Sequence, residues 1–371
     1  MSGPAFPQNL ALLLQQRTEK GVLRQLKSAL PPTDFSSNDY LGFSRQGLLS
    51  AQISRFEPSA VAGSTGSRLI SGNSALYEEL ENEIALFHHA PAALLYNSGY
   101  DANIGLLSCV AQKNDLILSD ELIHASLIDG IRLSRATNYK FRHNDVASLR
   151  ELLVRHRDGY ENCYLVVESV YSMDGDMAPL QELVALCREF SLQLIVDEAH
   201  AIGLFGKQGG GLCEELRIEK ECFARVYTYG KAMGCHGAAI VGTEALKQYL
   251  VNFSRSFIYT TALPEHSLLA IKGAYQLLLT TPAIGQLKEN IAYFRSRVAM
   301  PGLINSESAI QCLVLGGNAA VQALEQRCAE RGYFVKAIKS PTVKAGQERV
   351  RICVHAFNTR EEIAALAQLL A

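Results

Sequence analysis

"CYLVVESVYSMDGDMAPLQELVALCREFSLQLIVDEAH", residues 163–200, decides the fold. Its two flanks, "CYLVVES" (163–169) and "LQLIVDE" (192–198), are continuous apolar runs of strand length, the pattern of strands covered on both faces. Between them, "PLQELVALCREF" (179–190) repeats leucine, valine and phenylalanine at helical spacing. Pro179 stands where a first helical turn tolerates it, and "MDGD" before it is turn chemistry. Strand, helix, strand is one βαβ unit and implies a parallel sheet.

The same alternation of helical periodicity with short apolar runs extends outward from about residue 75 to 250, so an α/β domain with a largely parallel sheet is expected. From about 285 the texture changes to "SAIQCLVLGG", "AVQALEQRCAERGYFVKAI", "ERVRICVHA" and a last helix "TREEIAALAQLLA", a strand–helix–strand–helix order that suggests a small α+β domain. The first forty or so residues hold an amphipathic helix, then a proline break and loop, "PPTDFSSNDYLGFS". The expected division is an arm over 1–45, a large domain over 46–284 and a small C-terminal domain over 285–371.

Composition narrows the class. The chain has 371 residues, 48% of them apolar, which is enough to bury a large core. A net charge of -2 with scattered Lys and Arg argues against nucleic acid. Nine cysteines, an odd number with no C-x-x-C pair and no zinc-ligand spacing, argue against disulfide and zinc frameworks, so no metal is expected. The N-terminus lacks the basic start and cleavage site of a signal peptide, and no apolar run reaches the roughly 18 residues of a membrane span. A cytoplasmic enzyme is the expectation.

The chemistry starts from "VYTYGKAMGCHGAAIVG" (226–242), with one lysine, Lys231, between a strand-like run and small residues. A phosphate-binding P-loop fails on its letters, because Arg225 and Ala232 stand where that motif needs Gly and Ser or Thr. A lysine that forms a Schiff base remains, and it requires a carboxylate and a phosphate site elsewhere.

Ligands of open parallel sheets bind at the carboxyl ends of strands, which is where Asp197 and His200 fall. "LIVDEAH" also spells the acidic box of some helicases, but no P-loop precedes it. Taken alone, the pair reads first as a loop-capping aspartate with a structural histidine. Lys231, 34 residues on, changes that reading: an aspartate at a strand end can keep the ring nitrogen of pyridoxal phosphate protonated while the lysine carries the aldehyde.

Ser98-Gly99-Tyr100, at the start of an apolar helix, offers free N–H groups to a phosphate, or else is a plain glycine turn. His124 follows the run "DLILSD" and could stack on a pyridine ring, though in isolation a histidine there is more often surface or core. Ser172 ends another strand. Arg349 and Arg351 share one strand face; an arginine there could grip a carboxylate bidentately, and an exposed strand arginine is the blander reading.

With these residues in view, the sequence resembles the α-oxoamine synthases, pyridoxal-phosphate enzymes that join an amino acid to an acyl thioester with loss of carbon dioxide. The ordered motifs are "DFSSNDYLGFS" (34–44), "GSTGSRLISG" (63–72), "NSGYDANIGLL", "IHASLIDG", "HNDV", "YSMDGDMAPL", "VDEAHAIGLFGKQGGG", "TYGKAMG", "SFIYTTALP", "SAIQ" and "SPTVKAG", covering most of the chain. The resemblance implies the aspartate-aminotransferase-like fold, PLP fold type I.

Residue by residue, it implies that Lys231 holds the cofactor, Asp197 binds the pyridine nitrogen, and His200 and Ser172 lie near the phenolic oxygen. His124 stacks on the ring. Gly99, Tyr100 and Thr228 serve the phosphate and ring edge. Asn38 and Arg351 take the substrate carboxylate, Thr342 lies on the substrate side, and Arg24 corresponds to an arginine near the acyl substrate.

"FSSNDYLG" and "SAIQ" point to the branch that condenses L-alanine with a pimeloyl thioester of coenzyme A or a carrier protein in biotin biosynthesis. Other branches use glycine with an acetyl or succinyl thioester, or serine with a long-chain one, and a same-fold aminotransferase is the rival of another reaction type. Family members are homodimers with shared active sites, to which Thr260 or Thr261 would contribute across the interface. Two departures stand out: the segment between Arg24 and "DFSSNDYLG" is shorter than is usual, and Thr65 stands where glycine is common.

Overall fold

The computed structural model describes residues 6–24, 26, 31–56 and 62–370. Its strands in chain order are β1 (Thr33–Asp34), β2 (Ala92–Tyr96), β3 (Leu116–Asp120), β4 (Thr137–Phe141), β5 (Cys163–Glu168), β6 (Gln193–Asp197), β7 (Cys222–Thr228), β8 (Ala238–Gly242), β9 (Ile310–Val314), β10 (Tyr333–Phe334), β11 (Lys336–Ile338) and β12 (Arg349–Cys353).

The βαβ unit of residues 163–197 sits at the middle of a seven-stranded sheet of order β2-β8-β7-β6-β5-β3-β4. Every residue of β5 is buried, and β6 is buried from Leu194 onward, which is why both read as unbroken apolar runs. The intervening helix Leu180–Phe190 buries Leu180, Leu183, Val184, Leu186 and Cys187 and leaves Gln181 and Glu182 exposed. That apolar stripe holds it to the sheet, and truncating Leu183 to alanine would cost about 2–5 kcal/mol. Ser191, in the left-handed region at φ 54°, turns the chain back into β6. Only β8 runs antiparallel to its neighbours, β2 and β7. The mostly parallel sheet aligns the carboxyl ends of β5, β6 and β7, and hence the residues that follow them.

A second sheet, of order β11-β12-β9, is antiparallel throughout. Helix Asn318–Glu330 packs on β11 and β12, and helix Arg360–Leu370 packs on helices Ala283–Arg297 and Asn318–Glu330. The buried apolar residues of both sheets form one continuous core.

The N-terminal stretch divides in a way its sequence does not announce. Helix Gln8–Glu19 has no buried residue. After Pro32, by contrast, the chain joins the C-terminal part: β1 pairs in parallel with β10, and Phe35, Tyr40, Leu41 and Phe43 are fully buried. Two bonds fix it there, from Cys353 N–H to the Phe35 carbonyl at 2.7 Å and from Ala356 N–H to the Tyr40 carbonyl at 2.8 Å. The aromatic and aliphatic side chains of "DFSSNDYLGF" bury too much apolar surface to stand free as part of an arm.

Among the described residues, no helix is long and apolar enough to cross a membrane. Among the described residues, one group of metal-ligating atoms lies within 4.8 Å of one another, from His143, Asp174 and Asp176. Its members are already engaged in ion pairs. His143 bridges Asp120 at 2.9 Å and Asp176 at 2.7 Å, and Asp174 pairs with Arg349.

Candidate active site

A cavity of about 290 Å³ opens at the carboxyl edge of the large sheet. Its floor comes from strand ends: Glu168 closes β5, Asp197 closes β6, and Thr228 closes β7 with Lys231 three residues beyond. Ser98, Gly99, Tyr100 and Asn103 enter from helix Gly99–Val110 and its cap, His124 and Ser126 from the start of helix Ala125–Leu133, and Asn38 from the N-terminal segment.

Asp197 is buried and held at both oxygens, by Ala199 N–H at 2.9 Å and by the Asn103 amide at 2.7 Å. The same Asn103 amide donates to Ser126 Oγ at 2.9 Å, and Ser126 Oγ lies 2.8 Å from His124 Nδ1. Because Ser126 N–H also donates to Nδ1, that nitrogen is the acceptor, so the proton of a neutral His124 ring sits on Nε2. Burial outweighs the attraction of Asp197 and lowers the His124 pKa, in agreement with that form. A buried carboxylate is thus tied, through Asn103 and Ser126, to a histidine that lines the same cavity.

Lys231 keeps some exposure through the mouth of the cavity, yet the protein packed around its amine lowers its pKa against the pull of Asp197 and Glu168. Its Nζ lies 2.9 Å from His200 Nε2. His200 is buried and its pKa falls well below 6.5, first from desolvation and then from the charges of Lys231 and Arg351, so the ring is neutral.

Proton counting settles the next links. The Tyr40 hydroxyl donates to Asn38 Oδ1 at 3.0 Å, so at 2.8 Å it must accept from His200 Nδ1–H, which leaves Nε2 to accept from Lys231. Arg351 Nη2 donates to the same Asn38 oxygen at 3.1 Å, and Arg351 Nε to the Ser172 carbonyl at 2.9 Å. A continuous polar chain therefore runs from Lys231 through His200, Tyr40 and Asn38 to Arg351.

The end of the cavity at Gly99 and Thr228 carries an unsatisfied polar group. Thr228 Oγ1 is buried with no hydrogen-bond partner. A Cβ at Gly99 would overlap the Thr228 methyl group, so only glycine lets the helix start approach this strand end. Ser98 caps the helix by accepting from Asp101 N–H at 3.1 Å, while Tyr100 sends its hydroxyl to Asp129 at 2.6 Å.

Of the residues singled out from the sequence, the structure brings Gly99, Tyr100, His124, Asp197, Thr228, Lys231 and Asn38 to one cavity, with His200 bonded to Lys231. Ser172 lies behind the wall and touches it through its backbone. Arg24 and Thr342 are exposed and do not line the cavity. Arg349 is no exposed strand arginine: it is buried and paired with Asp174. Thr260 accepts from the Asn97 amide at 3.0 Å.

Three site residues escape a reading of motifs. Glu168 is a polar residue directly after an apolar run, the same signal that marks Asp197. Asn103 shows only as a polar residue on the buried face of an apolar helix. Tyr40 gives no sign that separates it from core tyrosines, because His200, the partner that ties it to Lys231, lies 160 residues away.

A family model described as "Aminotransferase class I and II" matches residues 31–370. The chain is 42% identical to an 8-amino-7-oxononanoate synthase of Emericella nidulans over 96% of this chain and 93% of that protein. It is 40% identical to one of Geobacter metallireducens, over 90% and 87%. Among solved structures, an 8-amino-7-oxononanoate synthase of Francisella tularensis aligns with TM-score 0.75 and 29% identity, covering 93% of this chain and 97% of that one. A serine palmitoyltransferase of S. paucimobilis with bound PLP aligns with TM-score 0.88 and 26% identity, covering 98% and 96%.

Proposed function

This chain belongs to the class I and II aminotransferase family, and within it we propose a pyridoxal-phosphate enzyme that condenses L-alanine with a pimeloyl thioester. Carbon dioxide and the thiol leave, and 8-amino-7-oxononanoate is the product, a step of biotin biosynthesis. The observation that carries the reading is the cavity that brings together a desolvated lysine amine, a buried carboxylate bonded at both oxygens and a histidine tied to that carboxylate through Asn103 and Ser126. Identity of 42% and 40% to two 8-amino-7-oxononanoate synthases, over 96% and 90% of this chain, supports the choice of substrates.

The donor set fits pyridoxal phosphate. Lys231 would carry it, Asp197 would face its ring nitrogen, and His124 would lie against its ring. The N–H groups at Gly99 and Tyr100, with the unpartnered Thr228 hydroxyl, would take its phosphate. Bound there, the cofactor supplies an electron sink for the electron pair released at the α-carbon of an amino acid.

The chain's own groups do the rest. Asp197, clamped by Ala199 and Asn103, presents a fixed negative charge without reorganisation, which is what gives such groups their effect in a desolvated site. Lys231 Nζ, its pKa lowered, takes the α-proton, while neutral His200 orients it by accepting its N–H at Nε2. Arg351, steadied by Asn38 and the Ser172 carbonyl, grips the alanine carboxylate. The roles of Arg24 and Thr342 near the acyl substrate rest on the resemblance alone. A cytoplasmic homodimer with shared active sites belongs to the same reading.

Supplying L-alanine, glycine or L-serine with acetyl, succinyl, pimeloyl or palmitoyl thioesters, while measuring carbon dioxide and free thiol, tests it. L-Alanine with a pimeloyl thioester is expected to turn over fastest. Amine transfer without carbon dioxide, or a preference for another pair, overturns the assignment.

A further inference from the structure

Glu168 is the buried titratable group of the cavity that the mechanism above leaves unused. It is 2% exposed, ends β5, and stands in register beside Asp197 at the end of β6. Its Oε2 accepts from Ser172 N–H at 3.3 Å, and the backbone N–H of His124 also faces its carboxyl group. Its Oε1 is buried, has no hydrogen-bond partner, and belongs to a residue that lines the cavity.

Two carboxyl groups at adjacent strand ends in a desolvated site cannot both ionise cheaply. Asp197 has the better claim to the charge, since both its oxygens receive donors while one oxygen of Glu168 receives none. An unpartnered carboxylate oxygen would be costly here, whereas an unpartnered O–H is a donor awaiting a ligand.

We propose that Glu168 is a positioning residue of this site, a neutral carboxylic acid that holds the backbone of Ser172 with Oε2 and offers its Oε1 hydrogen to the occupant of the cavity. The proposal rests on the cofactor reading for the identity of that occupant. The groups that bear on Glu168 are Asp197 from β6, Lys231 after β7 and His124 before helix Ala125–Leu133. Burial first, and then the Asp197 charge, raise its pKa to about 8, with Lys231 opposing. It is thus protonated below that pH and loses its donor above it.

The arrangement divides labour between two like residues. Asp197 keeps the site's negative charge, and Glu168 replaces a second charge with a donor. Through Ser172 it also braces the carbonyl that Arg351 uses, so its loss reaches the grip on the substrate carboxylate.

Infrared difference spectra of the cofactor-loaded protein test the protonation directly. At pH 6.5 the wild type should show a protonated-carboxyl stretch that is missing in Glu168→Gln and that fades as pH rises through about 8. Cofactor affinity is the second readout: the neutral Glu168→Gln should stay near wild type, and Glu168→Ala should bind about tenfold more weakly, the size of one lost hydrogen bond. The alkaline fall of kcat/KM that follows Glu168 should be absent in Glu168→Gln.

A Glu168→Gln protein that loses as much affinity as Glu168→Ala overturns the proposal, because then the ionised carboxylate is what matters. Absence of any protonated-carboxyl stretch in the wild type at pH 6.5 overturns it equally, even if neither variant folds. The infrared and affinity results stand without substrate, so a protein that gives them but makes no condensation product supports Glu168 and removes only the substrate reading.

Discussion

The two walls of the cavity differ in how far apart in the chain their residues lie. The floor takes Glu168, Asp197, Thr228 and Lys231 from three strands that are neighbours in one sheet. The facing wall presents Asn38, backed by Tyr40 and by Arg351 from a segment 313 residues away, brought together where β12 and the stretch after β1 pack side by side. The floor is fixed by the sheet itself. The facing wall exists only when the two parts of the chain close on each other, and the Lys231–His200–Tyr40–Asn38–Arg351 chain is what joins them.

If that contrast holds, floor substitutions should strike chemistry and facing-wall substitutions should strike substrate binding. The largest effect belongs to Lys231→Ala, which should cut turnover on the order of 10⁴-fold or more and remove the reducible cofactor adduct. A variant that keeps both would show that the amine is not where the floor's chemistry resides. Asp197→Asn keeps the shape but loses the charge and one of the two accepted hydrogen bonds, and should lower kcat by about 10²–10³-fold with little change in KM.

On the facing wall, Arg351→Lys should weaken L-alanine binding about ten- to a hundredfold, because an ammonium cannot reproduce a forked pair of bonds. Spectral titration with L-alanine measures it. Arg349→Lys, two residues away and committed to Asp174, should lower the melting temperature and spare alanine binding. Equal binding losses at both positions would erase the distinction between a substrate arginine and a structural one.

His143 sharpens the comparison through pH. Burial opposes its charge, but the hydrogen bonds of Asp120 and Asp176 prevail and raise its pKa to about 9. A histidine raised in the folded state contributes stability that is complete below its ordinary value near 6.5 and is lost as pH rises through about 9. Melting temperature should therefore decline across that window in the wild type and decline less in His143→Asn. Equal slopes would mean that the imidazolium does not hold the loop carrying Asp176.

The smallest effect lies outside both walls. Thr65 sits in the left-handed region at φ 55°, where a β-branched side chain is strained. Thr65→Gly should raise stability by less than about 1 kcal/mol in urea unfolding, since relief of strain is offset by the entropy of glycine.

The βαβ core was legible because β5 and β6 are covered on both faces and so read as apolar runs, with Asp197 at the end of β6 and Lys231 three residues past β7. His124 and Gly99 were legible as polar and small residues at helix starts. Arg351 was ambiguous, since burial of an arginine in a short strand leaves no mark on its neighbours in sequence. The N-terminal stretch was read as an arm up to residue 45, although its aromatic residues after Pro32 are core. Nothing local told the loop of "PPTDFSSNDYLGFS" that β10 and β12 would receive it.

The sequence by itself determined the large sheet, from the periodicity of its apolar runs, and marked the lysine, the aspartate at the strand end and the helix start by the residue types beside those runs and by their order in the family motifs. Only the tertiary structure decided that Tyr40 links His200 to Asn38, that Asn103 clamps Asp197, that Arg349 is spent on Asp174, and that Glu168 Oε1 has no partner beside a second carboxyl group. Those are properties of pairs. Charge, burial and proton position depend on which distant atoms desolvate or compensate a group, and that is set by how the chain closes rather than by any stretch of it.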